Sequence, residues 1–261
     1  IAIIGISVNM PLARDKDEFW NNIKNKVDCI RDFPENRRRD ADAMLKAQNR
    51  DTSGLEYERM AYLDEIGKFD CEFFGIAPKE ADLMDPNQRL FLQTAWAAIE
   101  DSGYGGDKLR GSRTGVYVGF CGESDYGRYI AETSPEDYVV AAPGNLTPVI
   151  ASRISYLMDF KGPSVIINTA CSSSLVAIHY ACCGIRNGEC DIAIAGGVKV
   201  WLYSIKNQYK MGIESEDAVT RSFDDNSNGT AKGEGVAAIV LKPLDKAIRD
   251  RDSIYAVIKG S

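Results

Sequence analysis

The apolar positions of the chain fall into short continuous runs separated by longer amphipathic stretches. Ile1-Ala2-Ile3-Ile4 is an unbroken apolar run closed by Gly5, the pattern of a buried strand over residues 1–6. Residues 15–26 place Phe19, Trp20 and Ile23 on one side at helical spacing, which predicts an amphipathic helix. Residues 86–102 predict a second helix, with Pro86 at its start and Gly103 after its end. Its apolar side carries Leu90, Phe91, Thr94, Ala97 and Ala98. Strands are predicted over 114–120, 165–168, 192–195, 236–241 and 255–259, and helices over 172–187 and 244–251. Strands alternating with helices predict an α/β fold with a largely parallel, covered sheet.

From residue 34 to about 59 the pattern changes. This stretch is polar, contains Arg37-Arg38-Arg39, and shows no sustained period, which predicts a long surface excursion. Its arginines are either a solvated face or a docking patch for an acidic partner. The run from Tyr255 to Lys259 is apolar enough to predict a central strand. With a strand at either end, the sequence reads as a segment cut from a longer polypeptide.

Composition narrows the classes. Of 261 residues, 44% are hydrophobic and 26% charged, which excludes a disordered or collagen-like chain. The net charge of −7 gives a nucleic-acid role no electrostatic support. The uncharged run 162–185 is long enough for a bilayer span of about 20 residues. It holds Pro163, Asn168, three serines and His179, however, and divides into a strand and a helix. With no basic leader or cleavage site at the start, a cytoplasmic location with no membrane contact is expected.

Seven cysteines without a Cys-x-x-Cys pair predict neither a zinc site nor a disulfide framework. Most are expected to be small buried hydrophobes. Cys171 stands apart, because a buried strand enters, small residues turn, and an apolar helix leaves. Leu175, Val176, Ile178, Ala181, Cys182 and Ile185 surround that helix, predicting burial nearly all round. A helix N-terminus favours negative charge, and a thiol so placed gains nucleophilic character. Ala170, Ser172 and Ser173 leave room for a carbonyl, and the Cys171 N–H is a candidate oxyanion donor. Cys171 is therefore a nucleophile, or else a structural thiol in a tight turn. His179, the single histidine, lies eight residues on, about 12 Å along a helix, too far to act as its base. A packed, hydrogen-bonded core role is expected for it.

The segment Asn168-Thr-Ala-Cys-Ser-Ser-Ser174 resembles the active-site signature of β-ketoacyl synthases, and the likeness extends along nearly the whole chain. Asp85-Pro-Asn-Gln-Arg-Leu-Phe-Leu92, Ala151-Ser-Arg-Ile-Ser-Tyr156, Phe160-Lys-Gly-Pro163, Ala195-Gly-Gly197, Arg221-Ser-Phe-Asp224, Gly233-Glu-Gly235 and Leu241-Lys-Pro-Leu244 match family motifs in family order. Met211-Gly-Ile-Glu-Ser215 and the run from Tyr255 to Ser261 look most like ketosynthases of bacterial trans-acyltransferase or hybrid peptide–polyketide assembly lines. Asn168 stands where the family usually has Asp, a change expected to alter local hydrogen bonding rather than abolish acyl transfer.

The resemblance implies a thiolase-like fold, an αβαβα sandwich of two similar halves, with residues 1–261 forming the N-terminal part. It implies a homodimer working with acyl carrier protein and other megasynthase domains. No cofactor or metal is bound directly, and substrates ride on the carrier's phosphopantetheine. Cys171 takes the acyl chain, and decarboxylation of a malonyl-type extender yields the carbanion that attacks it. The supporting residues carried over are the Cys171 N–H, Thr169 and Glu234, a plain surface glutamate being the alternative for the last. Residues 203–211 are a candidate lining for the acyl pocket. The family's two histidines, its lysine and its second oxyanion amide match nothing in these residues, so the segment alone is expected not to condense. The alternatives are a non-elongating ketosynthase that only transfers or gates acyl chains, and a thiolase or single-substrate synthase.

Overall fold

The computed structural model describes residues 1–206 and 212–261. Its core is a six-stranded sheet. In chain order the strands are β1 (Ala2–Asn9), then β4 (Thr114–Gly119), β5 (Ser164–Ile167), β6 (Ile192–Lys199), β7 (Gly235–Lys242) and β8 (Ala256–Val257). Two short strands, β2 (Ile30–Arg31) and β3 (Met60–Ala61), pair separately. The helices are α1 (Lys16–Lys24), α2 (Glu35–Ala47), α3 (Pro78–Asp82), α4 (Pro86–Asp101), α5 (Asp125–Thr133), α6 (Tyr138–Asn145), α7 (Val149–Leu157), α8 (Ser173–Arg186) and α9 (Leu244–Asp250).

The spatial order is β5-β4-β6-β7-β1-β8. The β5–β4 and β4–β6 pairs are parallel; β7 runs antiparallel to both β6 and β1, and β8 antiparallel to β1. The expected largely parallel sheet is therefore a mixed one. The segment between β6 and β7 supplies no crossover helix among its described residues, and an antiparallel return needs none. The closing strand is also not central. β8 is two residues long, exposed, and lies at the sheet's edge beyond β1.

Alternation along the strands sorts side chains onto two faces. One face packs Val116, Val118, Ile194, Val198, Val236, Ala238 and Val240 against α4 and α7. The other packs Tyr117, Ile167, Ala193, Ala195 and Leu241 against Ala177, Ala181 and Ile185 of α8. The burial of α8 is one-sided, contrary to expectation: Leu175 is 71% exposed and Tyr180 53%. The apolar stripe predicted for α1 forms, capped by Asp15, but no residue of α1 is buried.

The polar excursion over 34–59 contains a helix that pattern alone hides. Arg37, Ala41 and Leu45 of α2 are buried at four-residue spacing. Arginine at the first of these positions breaks the apolar signature. Ala41 joins Phe33, Met60 and Tyr62 in a small separate core. The arginine cluster is thus neither purely solvated nor a patch, because Arg37 points inward while Arg38 and Arg39 remain exposed.

Candidate active site

The carboxyl ends of β4, β5 and β6 lie side by side, with Gly119 paired to both Ile167 and Gly197. Crevices outside such ends are where open α/β sheets bind ligands. The chain leaving β5 runs through Asn168 and Thr169 into a single 3-10 turn, Ala170–Ser172, and then into α8. Cys171 is the middle residue of that turn and is exposed.

Local hydrogen bonds fix the turn. Asn168 Oδ1 accepts from the Ala170 N–H at 3.3 Å. Thr169 N–H donates to Ser173 Oγ at 2.9 Å, and that hydroxyl donates to Ala170 O at 2.7 Å. Ser172 Oγ donates to Thr169 O at 2.8 Å and lies 2.9 Å from Thr169 Oγ1. Ala170 adopts φ 54°, the left-handed region, which lifts the next residue clear of the strand. The Cys171 N–H makes no hydrogen bond to a described residue outside its own turn. It is open to an incoming oxyanion.

The turn can sit this close because two glycines lie beneath it. A Cβ on Gly119 would meet Ser174 N at 2.5 Å and Ser173 C at 2.6 Å, and one on Gly197 would meet Ser174 Cβ at 2.9 Å. Backbone atoms cannot yield as a flexible side chain can. Gly119→Ala is therefore expected to destabilise the fold by about 1–3 kcal/mol. It is also expected to slow acylation of Cys171 more than tenfold. Urea midpoints and adduct formation by mass spectrometry check both effects.

Glu234 immediately precedes β7 and reaches the same end of the sheet. Its side chain is fully buried and forms a two-pronged ion pair with Arg37, with Oε2 2.6 Å from Nη1 and Oε1 3.0 Å from Nη2. Oε2 also accepts from Leu63 N–H at 2.9 Å, and Oε1 from Trp201 N–H at 3.0 Å. Arg37 further donates to Leu63 O and Trp201 O. The pair thereby ties α2, the loop after β3 and the exit of β6 into one unit. A surface glutamate is ruled out.

Sequence reasoning gave no roles to a second network around the start of α4. Asp85 caps that helix through Asn87 N–H at 2.7 Å and accepts from Ser124 Oγ at 2.5 Å. Asn87 Oδ1 accepts from Val200 N–H at 2.8 Å, which joins α4 to the exit of β6. Gln88 Oε1 accepts from Arg153 Nε at 2.6 Å, and Arg153 pairs with Glu80. Buried polar positions opening an otherwise apolar helix were the available signal.

His179 corrects one expectation. It is half-buried rather than in the core, with Nδ1 3.1 Å from Ser261 Oγ and Nε2 3.6 Å from Cys183 Sγ. Of the cysteines, only Cys182 and Cys190 are buried, and burial pushes both thiols up. No His/Cys/Asp/Glu cluster among the described residues is suited to a metal ion. Among 203–211, residues 207–211 lie outside the described residues; Tyr203 donates to Gln48 Oε1 at 3.0 Å. A cleft of about 960 Å³ between the end of β1 and α4 does not include Cys171. No helix among the described residues is long and apolar enough to cross a membrane.

The mixed sheet with a strand–turn–helix at the carboxyl end of β5 is the thiolase-like fold of ketosynthases, as the solved structures show. The chain belongs to the β-ketoacyl synthase family: the family model described as Beta-ketoacyl synthase, N-terminal domain, matches residues 1–247. It is 43% identical over its full length to polyketide synthase PksM of Bacillus subtilis, of which it spans 6%. It is 41% identical to 6-methylsalicylic acid synthase of Aspergillus niger, spanning 15% of that protein. The ketosynthase from module 6 of the Bacillus subtilis bacillaene synthase superposes over 97% of the chain with TM-score 0.78 and 38% identity. An oxazolomycin ketosynthase domain from Streptomyces albus does so over 97% with TM-score 0.81 and 34% identity. The chain spans 41% and 45% of those two structures.

Proposed function

We propose that this chain supplies the acyl-accepting part of a polyketide ketosynthase, with Cys171 as the nucleophile. The observation that carries the proposal is the exposed Cys171, held on a hydrogen-bonded turn at the N-terminus of α8 with its own N–H open beside it. In the first stage the Cys171 sulfur attacks a carrier-bound phosphopantetheine thioester. The Cys171 N–H holds the developing oxyanion. Thr169, bonded to both serines that follow Cys171, positions the turn. Glu234, with Arg37, fixes the loops that wall the same sheet end.

In the second stage a malonyl-type extender on acyl carrier protein loses carbon dioxide, and its carbanion attacks the acyl-cysteine. This gives a β-ketoacyl thioester two carbons longer. The single histidine is engaged with Cys183 and Ser261, so the acid–base groups for decarboxylation come from outside these residues. Exposed Val165, Leu175 and Tyr180 on the α8 side support packing against further protein there, either the second half of the sandwich or a partner subunit of a homodimer.

The test is a condensation assay. The natural-length protein, given an acyl thioester and malonyl carrier protein, is expected to release the β-ketoacyl product, while residues 1–261 alone are expected to release none. Acylation without extension in the natural-length protein would leave transfer only, the behaviour of a non-elongating ketosynthase. Extension by residues 1–261 alone would overturn the division of labour.

A further inference from the structure

We propose that a pocket between the last turns of α4 and α7 binds a free α-amino acid with one aromatic or branched aliphatic side chain. The site goes beyond the acyl-transfer role proposed above and does not rest on it.

The pocket has a volume of about 170 Å³ and lies among the ends of α4 and α7 and the loop that joins α4 to β4. Ile99, Leu109 and Phe160 are buried and form its inner part, while Trp96, Leu157 and Met158 are half-buried and form its walls. Two backbone bonds tie together the loops that frame it. Gly111 N–H donates to Asp159 O at 2.9 Å, and Lys161 N–H donates to Ser112 O at 2.8 Å. The space is therefore formed in advance of any ligand, as small-molecule sites usually are. Packed interiors leave few voids larger than a water molecule, so an apolar space of this size is a departure from ordinary packing. An apolar cavity of about 150 Å³ holds a benzene ring. This pocket accordingly fits a single ring or a branched alkyl group.

The mouth carries one charge of each sign. Asp107 and Arg110 both line the pocket and are both exposed. Asp107 Oδ1 lies 3.9 Å from Arg110 Nε, beyond hydrogen-bond distance. Neither side chain has a hydrogen-bond partner among the described residues. The neighbouring lysines are engaged: Lys161 pairs with Asp159, and Lys108 donates to Gly103 O at 2.7 Å. An α-amino acid carries the reciprocal pair of charges on one carbon. Its carboxylate accepts from the Arg110 guanidinium, whose planar fork suits that group. Its ammonium donates to Asp107, and its side chain enters the apolar space. A simple carboxylic acid would gain Arg110 but be repelled by Asp107, and an amine would meet the reverse.

The pocket is separate from the nucleophile turn. It adjoins Ser112 and the start of β4, whereas the Cys171 turn lies beyond the other end of that strand. The six residues of β4, at about 3.3 Å each, set the two about 20 Å apart. Occupancy of the pocket therefore leaves Cys171 free.

The test is fluorine NMR on the natural-length protein, with line broadening of 4-fluoro-L-phenylalanine as the readout. A Kd of about 1 mM is expected for a ligand held by one ring and two exposed charges. Two analogues, 3-(4-fluorophenyl)propanoate and 4-fluorophenethylamine, each lack one charge and are expected to bind about threefold more weakly. Arg110→Met is expected to weaken the amino acid about threefold and leave the amine unchanged, and Asp107→Asn to weaken it likewise and leave the propanoate no weaker. Both side chains are exposed, so these variants keep the fold. Leu157→Trp and Met158→Trp, which fill the pocket, are expected to abolish the broadening, and Cys171→Ala to leave it unchanged. Equal binding of all three probes overturns the proposal, as does broadening that survives both tryptophan variants. Broadening lost in Cys171→Ala would place the ring in the acyl site and overturn it too, as would no broadening on the folded parent.

Discussion

Cys171→Ala is expected to abolish acyl transfer while leaving the fold intact. The side chain is exposed on its turn, so no cavity is created and the backbone bonds of Thr169, Ala170 and Ser173 remain. What is lost is the sulfur proposed to form the acyl bond. Loading is expected to fall more than a thousandfold, which is more than about 4 kcal/mol of barrier, with the urea midpoint unchanged. Cys171→Ser keeps the shape but replaces sulfur with a poorer nucleophile, and its loading is expected to stay near the alanine level. Undiminished loading by Cys171→Ala, measured by intact mass, would move the nucleophile to another thiol.

The largest stability effect is expected at Glu234. Glu234→Ala strands the Arg37 guanidinium in a buried site and leaves the Leu63 and Trp201 N–H groups without acceptors. Breaking one side of a buried ion pair costs about 3–5 kcal/mol. Arg37→Ala is expected to cost less, because the two backbone N–H groups still satisfy the carboxylate in part. The Arg37→Met, Glu234→Gln double variant is expected to lose less than the sum of the corresponding single losses, by about 0.5–3 kcal/mol, since the partners share one network. Denaturant midpoints check this. A Glu234→Ala loss below about 1 kcal/mol, the range of exposed pairs, would contradict the clamp described here.

The strand–turn–helix that carries Cys171 was legible in the sequence because every signal that defines it is local. An apolar run, a change to small residues and an apolar helix occupy one continuous stretch, residues 165–186. The elements β4, α4 and α9 were legible for the same reason, through Gly, Pro and periodic apolar positions. What was hidden depends on contacts distant in sequence. Arg37 occupies an apolar position of α2 and is intelligible only once Glu234, almost two hundred residues away, is placed beside it. Strand direction was also hidden, since the apolar content of β7 is the same in either orientation. The exposed side of α8 misled in the other direction, because apolar residues all round a helix predict burial without saying what covers each side.

The most direct test of the central claim is to incubate the natural-length protein with an acyl-pantetheine thioester, digest it, and locate the adduct by mass spectrometry. One acyl group on the peptide carrying Asn168 to Ser174, at Cys171, is the predicted result. An adduct on Cys121 or Cys183 instead, or no adduct on a folded protein, would contradict it.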